Sequence, residues 1–282
     1  MAPPVDVTQP LGLISGNGLY PATFAAAAGR AGVSKLVVAA FEGETEPEWA
    51  QAVDALAWFR VGQLTKMIRF FQREGVSQAV MVGQIAPRHL FDLRPDMRTL
   101  LLLARTRQRN AESLFGAIAE ELAKEGIHLL LATTFLEEQL ASEGHLAGPT
   151  PKARLWEDAH FGWEIAKETS RLDIGQSVIV RHGTVLAVEA FEGTNACIER
   201  GGALGRGKAL LVKVSKPQQD LRFDVPVIGP ATLESAAEAG LQAIAVEAGK
   251  TLVLAPEEVR ELAEKHRISL LGLAAEAANP ET

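Results

Sequence analysis

The chain has 282 residues, 47% of them hydrophobic, and is long enough to bury one large core or two smaller ones. Its net charge of -7 argues against nucleic acid as a partner. The single cysteine, Cys197, excludes an intramolecular disulfide, and the first residues lack the pattern of a signal peptide, so we expect a cytoplasmic protein. No apolar run reaches the ~20 residues of a membrane span, so any membrane association is expected to be peripheral.

The first half of the chain alternates short apolar runs with helical segments. We predict strands at 11–14, 35–40, 78–82 and 128–132, and helices at 21–30, 64–73 and 98–124. Gly32, Gly75 and Gly126 lie where three of these helices should end, just before the next strand. Because this alternation is typical of βαβ units, we predict a Rossmann-like parallel α/β domain over residues 1–145.

The second half has a different pattern. A stretch rich in glycine and proline at 142–152 is the predicted linker. Residues 178–188 are typical of a β-hairpin that turns at His182-Gly183, and a glycine-rich segment follows at 201–207. Strands are predicted at 209–214, 243–246 and 268–271, and helices from near Thr232 to Gly240 and at 256–266. We therefore predict an α/β fold whose second domain, residues 146–282, is mixed α/β.

The segment 213–229 concentrates polar side chains directly after an apolar strand. These side chains are Lys213, Lys216, Gln219, Asp220, Arg222 and Asp224. The alternation of Asp220, Arg222 and Asp224 would bring all three to one side of an extended backbone. Lysine and arginine bind phosphate oxygens, while carboxylates can hold a divalent metal or orient a water. For such a segment taken alone, a solvated charged loop is the alternative.

Three further polar groups of the first half lie at the end of a predicted strand or at the start of a predicted helix. Residues 15–18 join the first strand to the first helix, where α/β proteins bind phosphates through backbone N–H groups. Pro21 stands where a dinucleotide fingerprint has its third glycine, and no Walker lysine is present. Gln63 and Lys66 open a helix, and Gly83 and Gln84 end a strand, so both pairs could line the same crevice. A tight turn and an ordinary helix start are the alternatives.

Residues 11–21, 61–66, 80–84, 187–195 and 213–229 match, in this order, the motifs of a known family. The chain resembles the LpxI-type UDP-2,3-diacylglucosamine diphosphatases of lipid A biosynthesis. The resemblance implies a metal-dependent cytosolic hydrolase that produces UMP and 2,3-diacylglucosamine 1-phosphate (lipid X). It also favours a homodimer and a peripheral association with the inner membrane. In the family's turn we expect an aspartate where this chain has Asn195, which carries no charge.

With this resemblance, we expect Asp224 to be the central catalytic carboxylate and Asp220 to assist it, with both as metal ligands. Hard oxygen ligands and scattered histidines favour Mg²⁺ or Mn²⁺ over zinc. The predicted substrate-binding residues are Gly16, Asn17, Gly18, Gln63, Lys66, Gly83, Gln84, Glu192, Thr194, Asn195, Lys213, Lys216, Gln219 and Arg222. The buried thiol expected for Cys197 is more typical of a core residue than of a nucleophile.

A basic stretch and two other functions are left open. The stretch contains Arg88, Arg94, Arg98, Arg105, Arg107 and Arg109. It would suit an anionic membrane or a diphosphate, and equally a solvated helix face or a subunit contact. The other functions are a nucleotide-sugar transferase or dehydrogenase, and a non-catalytic nucleotide-lipid carrier. Paired carboxylates near a phosphate argue against the carrier.

Overall fold

The computed structural model describes residues 5–85, 95–105, 111–217 and 219–274, and the chain divides into two compact units. The first unit comprises the chain up to Glu137 together with Asp220–Asp224. The second comprises Glu138–Gln219 and the chain from Val225 onward. The boundary predicted after residue 145 would put both carboxylates in the C-terminal domain, whereas Asp220 and Asp224 belong to the first unit.

The first unit is built on a five-stranded parallel sheet in the order β3-β2-β1-β4-β5. Its strands are β1 (Leu11–Ser15), β2 (Leu36–Phe41), β3 (Ala55–Phe59), β4 (Gln78–Val82) and β5 (His128–Leu129). Its helices are α1 (Leu19–Arg30), α2 (Pro47–Ala50), α3 (Leu64–Arg73), α4 (Met97–Arg105) and α5 (Ala111–Lys124). The strand order reverses between β1 and β4, which is the place where open α/β sheets bind ligands. The predicted Rossmann-like domain is confirmed.

The core of the first unit explains why its strands are apolar along their whole length. β1 lies in the middle of the sheet, where Leu11 pairs with Leu36 of β2 and with Gln78 of β4. Helices cover the sheet, and Phe24 of α1 and Phe71 of α3 are fully buried. A parallel strand covered on both faces needs no polar alternation.

One strand of this unit was not predicted, and one predicted helix is described only in part. β3 was not predicted, because a five-residue apolar run does not reveal its structure by periodicity alone. Of the helix predicted at 98–124, the structure describes α4 and α5, and residues 106–110 lie outside the described part of the chain.

The second unit is built on a six-stranded mixed sheet in the order β6-β13-β11-β9-β7-β8. Its strands are β6 (Gly144–Ala147), β7 (Ser177–Arg181), β8 (Thr184–Val188), β9 (Leu210–Lys213), β11 (Ala243–Glu247) and β13 (Ser269–Leu273). β10 (Val227–Ile228) and β12 (Leu252–Val253) form a separate parallel pair. Its helices are α6 (Ala153–Arg171), α7 (Thr194–Gly205), α8 (Pro230–Glu238) and α9 (Pro256–His266). The predicted mixed α/β architecture is confirmed.

Glycines of the second unit allow close packing. The segment 201–207 lies largely in α7, where a Cβ on Gly201 would be 2.5 Å from the Ile179 side chain. The predicted linker contains β6, which pairs antiparallel with β13. The predicted hairpin is confirmed, because His182 and Gly183 have positive φ angles of 52° and 70°, as a two-residue turn of type I′ requires. No helix within the described residues is both long enough and apolar enough to cross a membrane.

Candidate functional site

The loops after β1 and β4 meet at the switch point of the first sheet. The Gly16 N–H donates to the Val82 carbonyl at 2.8 Å, and the Asn17 N–H donates to the Gln84 carbonyl at 2.8 Å. A Cβ on Gly16 would lie 2.4 Å from the Gln84 oxygen, and one on Gly83 would lie 2.7 Å from the Asn17 oxygen. Glycine is therefore required at both positions. The structure brings together Gly16, Asn17, Gly83 and Gln84, and their contact with substrate stays a prediction.

The start of α1 is open to an anion. Gly18 precedes the helix with φ 83° and ψ -175°, and among the described residues no side chain caps the first turn. The N–H groups of a first turn have no partner within their own helix, and the helix dipole favours negative charge there. This geometry suits a phosphate group.

A buried carboxylate that the sequence analysis missed lies beside Asn17. Glu44 follows β2 and is only 5% exposed. Its Oε2 accepts a hydrogen bond of 2.5 Å from Asn17 Nδ2. The available signal was the polar run that directly follows a predicted strand at the same edge of the sheet. The predicted group at this edge therefore gains an acidic member.

Gln63 and Lys66 lie at the start of α3, whose N-terminus is already capped. Asp96 Oδ2 accepts the Thr65 N–H at 2.7 Å, and Asp96 Oδ1 accepts the Thr99 N–H at 2.9 Å. Partial burial opposes ionisation of Asp96, but these hydrogen bonds outweigh it and hold its pKa below the usual value. Gln63 Oε1 accepts a backbone N–H of the preceding loop at 3.2 Å, and Lys66 is exposed. Any phosphate contact here would come from the Lys66 side chain.

The segment Asp220–Asp224 is a turn and not the extended run considered from the sequence. The Asp224 N–H donates to the Asp220 carbonyl at 3.0 Å, so both carboxylates project from one helical turn. Arg222 closes on the Asp220 side chain, with Nε 2.9 Å from Oδ1 and Nη2 2.5 Å from Oδ2. Asp220 also accepts the Arg222 backbone N–H, a local bond that favours turns. The hydrogen bonds from Arg222 lower the pKa of Asp220.

This turn is held within the first unit. The Leu221 carbonyl accepts the Ala132 N–H at 2.8 Å, just beyond β5. The Phe223 ring packs on Phe115 of α5 with ring centroids 5.8 Å apart. The turn that carries the predicted catalytic carboxylates, Asp220 and Asp224, therefore packs against α5 and is hydrogen-bonded to the chain just beyond β5.

Lys213, Thr194 and Glu189 form a buried hydrogen-bonded chain in the second unit. Lys213 Nζ lies 3.1 Å from the Val227 carbonyl and 3.5 Å from Thr194 Oγ1. The Thr194 hydroxyl donates its one hydrogen to Glu189 Oε1 at 2.9 Å, so it meets Lys213 as an acceptor. Glu189 Oε2 is buried and has no hydrogen-bond partner among the described residues. Two of the predicted substrate-binding residues are thus brought together, with Glu189 as an addition.

The turn before α7 contains the remaining predicted residues of this motif. Glu192 pairs with Arg200 at 2.6 Å, and hydrogen bonds from its own backbone N–H and from Arg200 lower its pKa. Asn195 lies exposed in the first turn of α7. Cys197, two residues further along α7, is fully buried, and burial raises its pKa to about 12, so its thiol is a core group.

The loop after β9 is fixed by a buried glutamate that was also missed. The Ser215 N–H and hydroxyl both donate to Glu247 Oε2, at 2.7 and 2.8 Å. Lys167 Nζ lies 2.5 Å from the same oxygen. Glu247 is the last residue of β11, and Glu189 comes directly after β8. Both glutamates stand at the end of the sequence Ala-Val-Glu, and this repetition was the available signal.

Lys216 and Gln219 close the loop that Ser215 begins. The Lys216 N–H donates to Gln219 Oε1 at 2.7 Å, and the Lys216 ammonium pairs with Asp173. Both residues belong to the second unit, while Asp220–Asp224 belongs to the first. The predicted signature segment is therefore shared by the two units.

The predicted metal ligands suit a site that the substrate completes. Among the described residues, no group of three or more His, Cys, Asp or Glu side chains is placed to hold a metal ion. Asp220 and Asp224 offer two carboxylates from one turn, and Asp220 is paired with Arg222. Mg²⁺ in proteins is often bound by one or two carboxylates together with substrate phosphates. The donor set fits that arrangement and does not fit a cage made of protein ligands alone.

Only part of the basic stretch lies in the described chain. Arg88, Arg94, Arg107 and Arg109, and the side chain of Arg105, fall outside the described residues. Arg98 forms ion pairs with Glu121, at 3.0 Å, and with Glu125. For Arg98 this pairing fits the alternative of a solvated helix face.

Comparison with known proteins covers nearly the whole chain. The family model described as the LpxI N-terminal domain matches residues 10–139, and the LpxI C-terminal domain model matches residues 142–271. A protein of Caulobacter vibrioides named UDP-2,3-diacylglucosamine pyrophosphatase LpxI is 33% identical over 277 residues. The alignment covers 93% of this chain and 97% of that protein.

Proposed function

Because the chain belongs to the LpxI family, we propose that it hydrolyses the pyrophosphate bond of UDP-2,3-diacylglucosamine in lipid A biosynthesis. The products would be UMP and 2,3-diacylglucosamine 1-phosphate. The observation that carries this proposal is the match of both family domains together with the similarity to a protein of that name over nearly its full length. The turn with paired carboxylates supports a hydrolase more than a carrier.

We place the nucleotide at the carboxyl edge of the first sheet. The close-packed loops of Gly16 and Gly83 present backbone groups there, and the open start of α1 suits the diphosphate. Lys213 and Lys216 stay predicted contacts of substrate phosphate oxygens. Both ammonium groups are held by partners in the second unit, so the structure already limits their rotamers.

We assign the catalytic role to Asp224. Arg222 binds both oxygens of Asp220, so Asp220 fixes the guanidinium, whose charge would stabilise negative charge developing on the diphosphate. A carboxylate has about four acceptor sites, so Asp220 could also contribute an oxygen to a metal ion. Asp224, from the same turn, would position the metal or orient the attacking water. Asp224→Asn keeps the size of the side chain and removes its charge. It should lower the rate of UMP release by at least about a hundredfold while substrate still binds.

We further propose a requirement for Mg²⁺ or Mn²⁺, held by Asp224 and Asp220 together with the substrate diphosphate. When bound, the ion would neutralise charge on the phosphoryl oxygens. UMP release should require added Mg²⁺ or Mn²⁺ and should stop in excess EDTA. An unchanged rate in EDTA would contradict this requirement and leave the hydrolase assignment intact.

The decisive experiment is incubation of the purified protein with UDP-2,3-diacylglucosamine while UMP release is followed. The Asp224→Asn variant is the control for a contaminating hydrolase. Binding of the lipid without UMP release would favour a nucleotide-lipid carrier instead. An absorbance change linked to a nicotinamide cofactor would favour a dehydrogenase.

Two properties of the assembly stay proposals. A homodimer is proposed because homodimers are the commonest oligomers of soluble proteins and because the family resemblance favours one. Sedimentation of the full chain tests it. Peripheral association with an anionic membrane is tested by flotation with vesicles that contain anionic lipid, and vesicles of neutral lipid serve as the control.

A further inference from the structure

Glu44 is a buried carboxylate at the carboxyl edge of the first sheet. It follows β2, which pairs with β1 along its whole length, so it stands at the same edge as residues 16–18. In open sheets with this strand order, the diphosphate lies at the helix after the first strand. An acidic residue after the second strand then hydrogen-bonds a ribose hydroxyl.

The loop that carries Glu44 is fixed to the first strand. The neighbouring Thr45 donates its hydroxyl to the Ser15 carbonyl at 2.7 Å and accepts the Phe41 N–H at 2.9 Å. Glu44 is 5% exposed, and a buried carboxylate loses hydration that must be replaced by hydrogen bonds. A carboxylate held in one position beside residues 15–18 is suited to accept a hydrogen bond from one particular atom of a ligand.

The contact with Asn17 defines the hydrogen-bonding capacity of this pair. Asn17 Nδ2 donates to Glu44 Oε2 at 2.5 Å, which is the orientation that a carboxylate acceptor requires. The Asn17 carbonyl oxygen is thereby directed away from Glu44. A carboxylate has about four acceptor sites, so it can bind the amide and a ligand hydroxyl together.

We propose that Glu44 binds the ribose of the uridine nucleotide by accepting a hydrogen bond from one of its two hydroxyl groups. Asn17 orients the Glu44 carboxylate for this contact. The inference rests on the proposed function, because it takes the ligand to be a uridine diphosphate derivative. Glu44 is then a specificity-determining residue that recognises one ribose hydroxyl of the nucleotide.

The test compares three nucleotides on the full chain: UDP, 2′-deoxy-UDP and 3′-deoxy-UDP. Wild-type protein should bind one deoxy analogue about ten- to a hundredfold more weakly than UDP, because it lacks a hydrogen bond to a charged group. Glu44→Gln should lose a similar factor for UDP, and its preference for UDP over that analogue should fall to within about twofold. Titration calorimetry measures all six affinities.

Glu42→Gln is the matched control. Glu42 lies two residues earlier in the same loop, is exposed, and pairs with Arg60 at 3.0 Å. This variant should keep the full preference of the wild type for UDP. A lost preference in both variants would point to a general charge effect and overturn the assignment.

Two other results overturn the proposal. Equal affinity of the wild type for the three nucleotides shows that no ribose hydroxyl is read. An undiminished preference in Glu44→Gln, with all affinities lowered alike, shows that Glu44 only supports Asn17. If Glu44→Gln does not fold by circular dichroism, Glu44→Asp takes its place. Glu44→Asp keeps the negative charge on a side chain that is one methylene shorter, and it should also reduce the preference for UDP over the deoxy analogue.

UMP release from UDP-2,3-diacylglucosamine is measured in parallel with the same preparations. A protein that releases UMP but shows no ribose preference refutes the role of Glu44 alone. A protein that neither binds UDP nor releases UMP refutes the proposed function, and the ribose assignment with it.

Discussion

The two units begin one helix each in nearly the same way. α1 follows Gly18, with φ 83° and ψ -175°, and α7 follows Gly193, with φ 84° and ψ 170°. Neither first turn has a side-chain cap among the described residues. Both starts therefore present backbone N–H groups and a positive helix end to an anion.

The two starts differ in what holds them. In the first unit the loop is fixed by backbone, because Gly16 and Gly83 pack without room for a Cβ. In the second unit it is fixed by side chains, because Thr194 links a buried lysine to a buried glutamate. A similar backbone geometry can thus be supported by close packing in one unit and by a polar chain in the other.

The largest expected effect comes from breaking the backbone support of the first unit. Gly83→Ala places a Cβ 2.7 Å from the Asn17 carbonyl oxygen, at a residue with a φ angle of 88°. Overpacking and backbone strain together should lower the free energy of unfolding by about 3 kcal/mol or more. Urea unfolding measures this, and a loss below about 1 kcal/mol would contradict the backbone account.

Removing the hydroxyl of Thr194 tests the polar support of the second unit. Thr194→Val leaves a buried Glu189 oxygen without its donor, which should cost about 2 kcal/mol of unfolding free energy. Thr184→Val, at an exposed position of β8, is the control and should change little. Equal midpoints of the two variants in urea would show that the chain of hydrogen bonds carries no stability.

The two helix-start glycines should respond alike to alanine. At both Gly18 and Gly193, no described atom lies within 4 Å of the position that a Cβ would take, so only the positive φ angle opposes the substitution. Gly18→Ala and Gly193→Ala should each cost about 1 kcal/mol. Thermal unfolding measures both losses. A difference of more than about 1 kcal/mol between the two losses in unfolding free energy would contradict the similarity of the two helix starts.

The smallest effect concerns pH. Arg222 lowers the pKa of Asp220 in the folded state, so the pair adds stability above the unfolded pKa, which lies near 4, and loses it as pH falls through the folded value. At pH 6 the free energy of unfolding of the wild type should exceed that of Asp220→Asn by less than about 1 kcal/mol, because the Asp220–Arg222 pair is partly solvated.

The difference in unfolding free energy between wild type and Asp220→Asn should shrink as the pH falls below the unfolded pKa and vanish once Asp220 is protonated in the folded state. Glu164→Gln, at an exposed position of α6, provides the control, and its small difference from the wild type should not follow this course. If the difference in unfolding free energy between wild type and Asp220→Asn persisted in acid, the charge of Asp220 would not be the cause of that difference.

Local patterns predicted much of the fold. The apolar runs at β1, β2 and β4 are short and end in glycine or polar residues, and the turn at His182-Gly183 is specified by two residues with positive φ. These features depend on neighbours in the sequence, so the two α/β units could be recognised without a structure.

The site depended on contacts that no local pattern contains. The turn at Asp220 forms around Arg222 and rests on Phe115, which is far away in the sequence. The sequence signals of Glu44 and Glu247, a polar run after a strand and a repeated Ala-Val-Glu, do not show burial, and only the folded chain shows that both side chains are buried. The burial of a charged side chain is a tertiary property, so these residues were missed.

The assignment of Asp220–Asp224 to the first unit has a consequence for the order of folding during synthesis. The first unit is not complete when the ribosome has made residue 137, because five of its residues come after about four fifths of the chain. Until then α5 lacks the Phe223 ring that packs on Phe115. A nascent first unit can therefore form its sheet early, while the turn at Asp220–Asp224 is added only when most of the second unit has emerged.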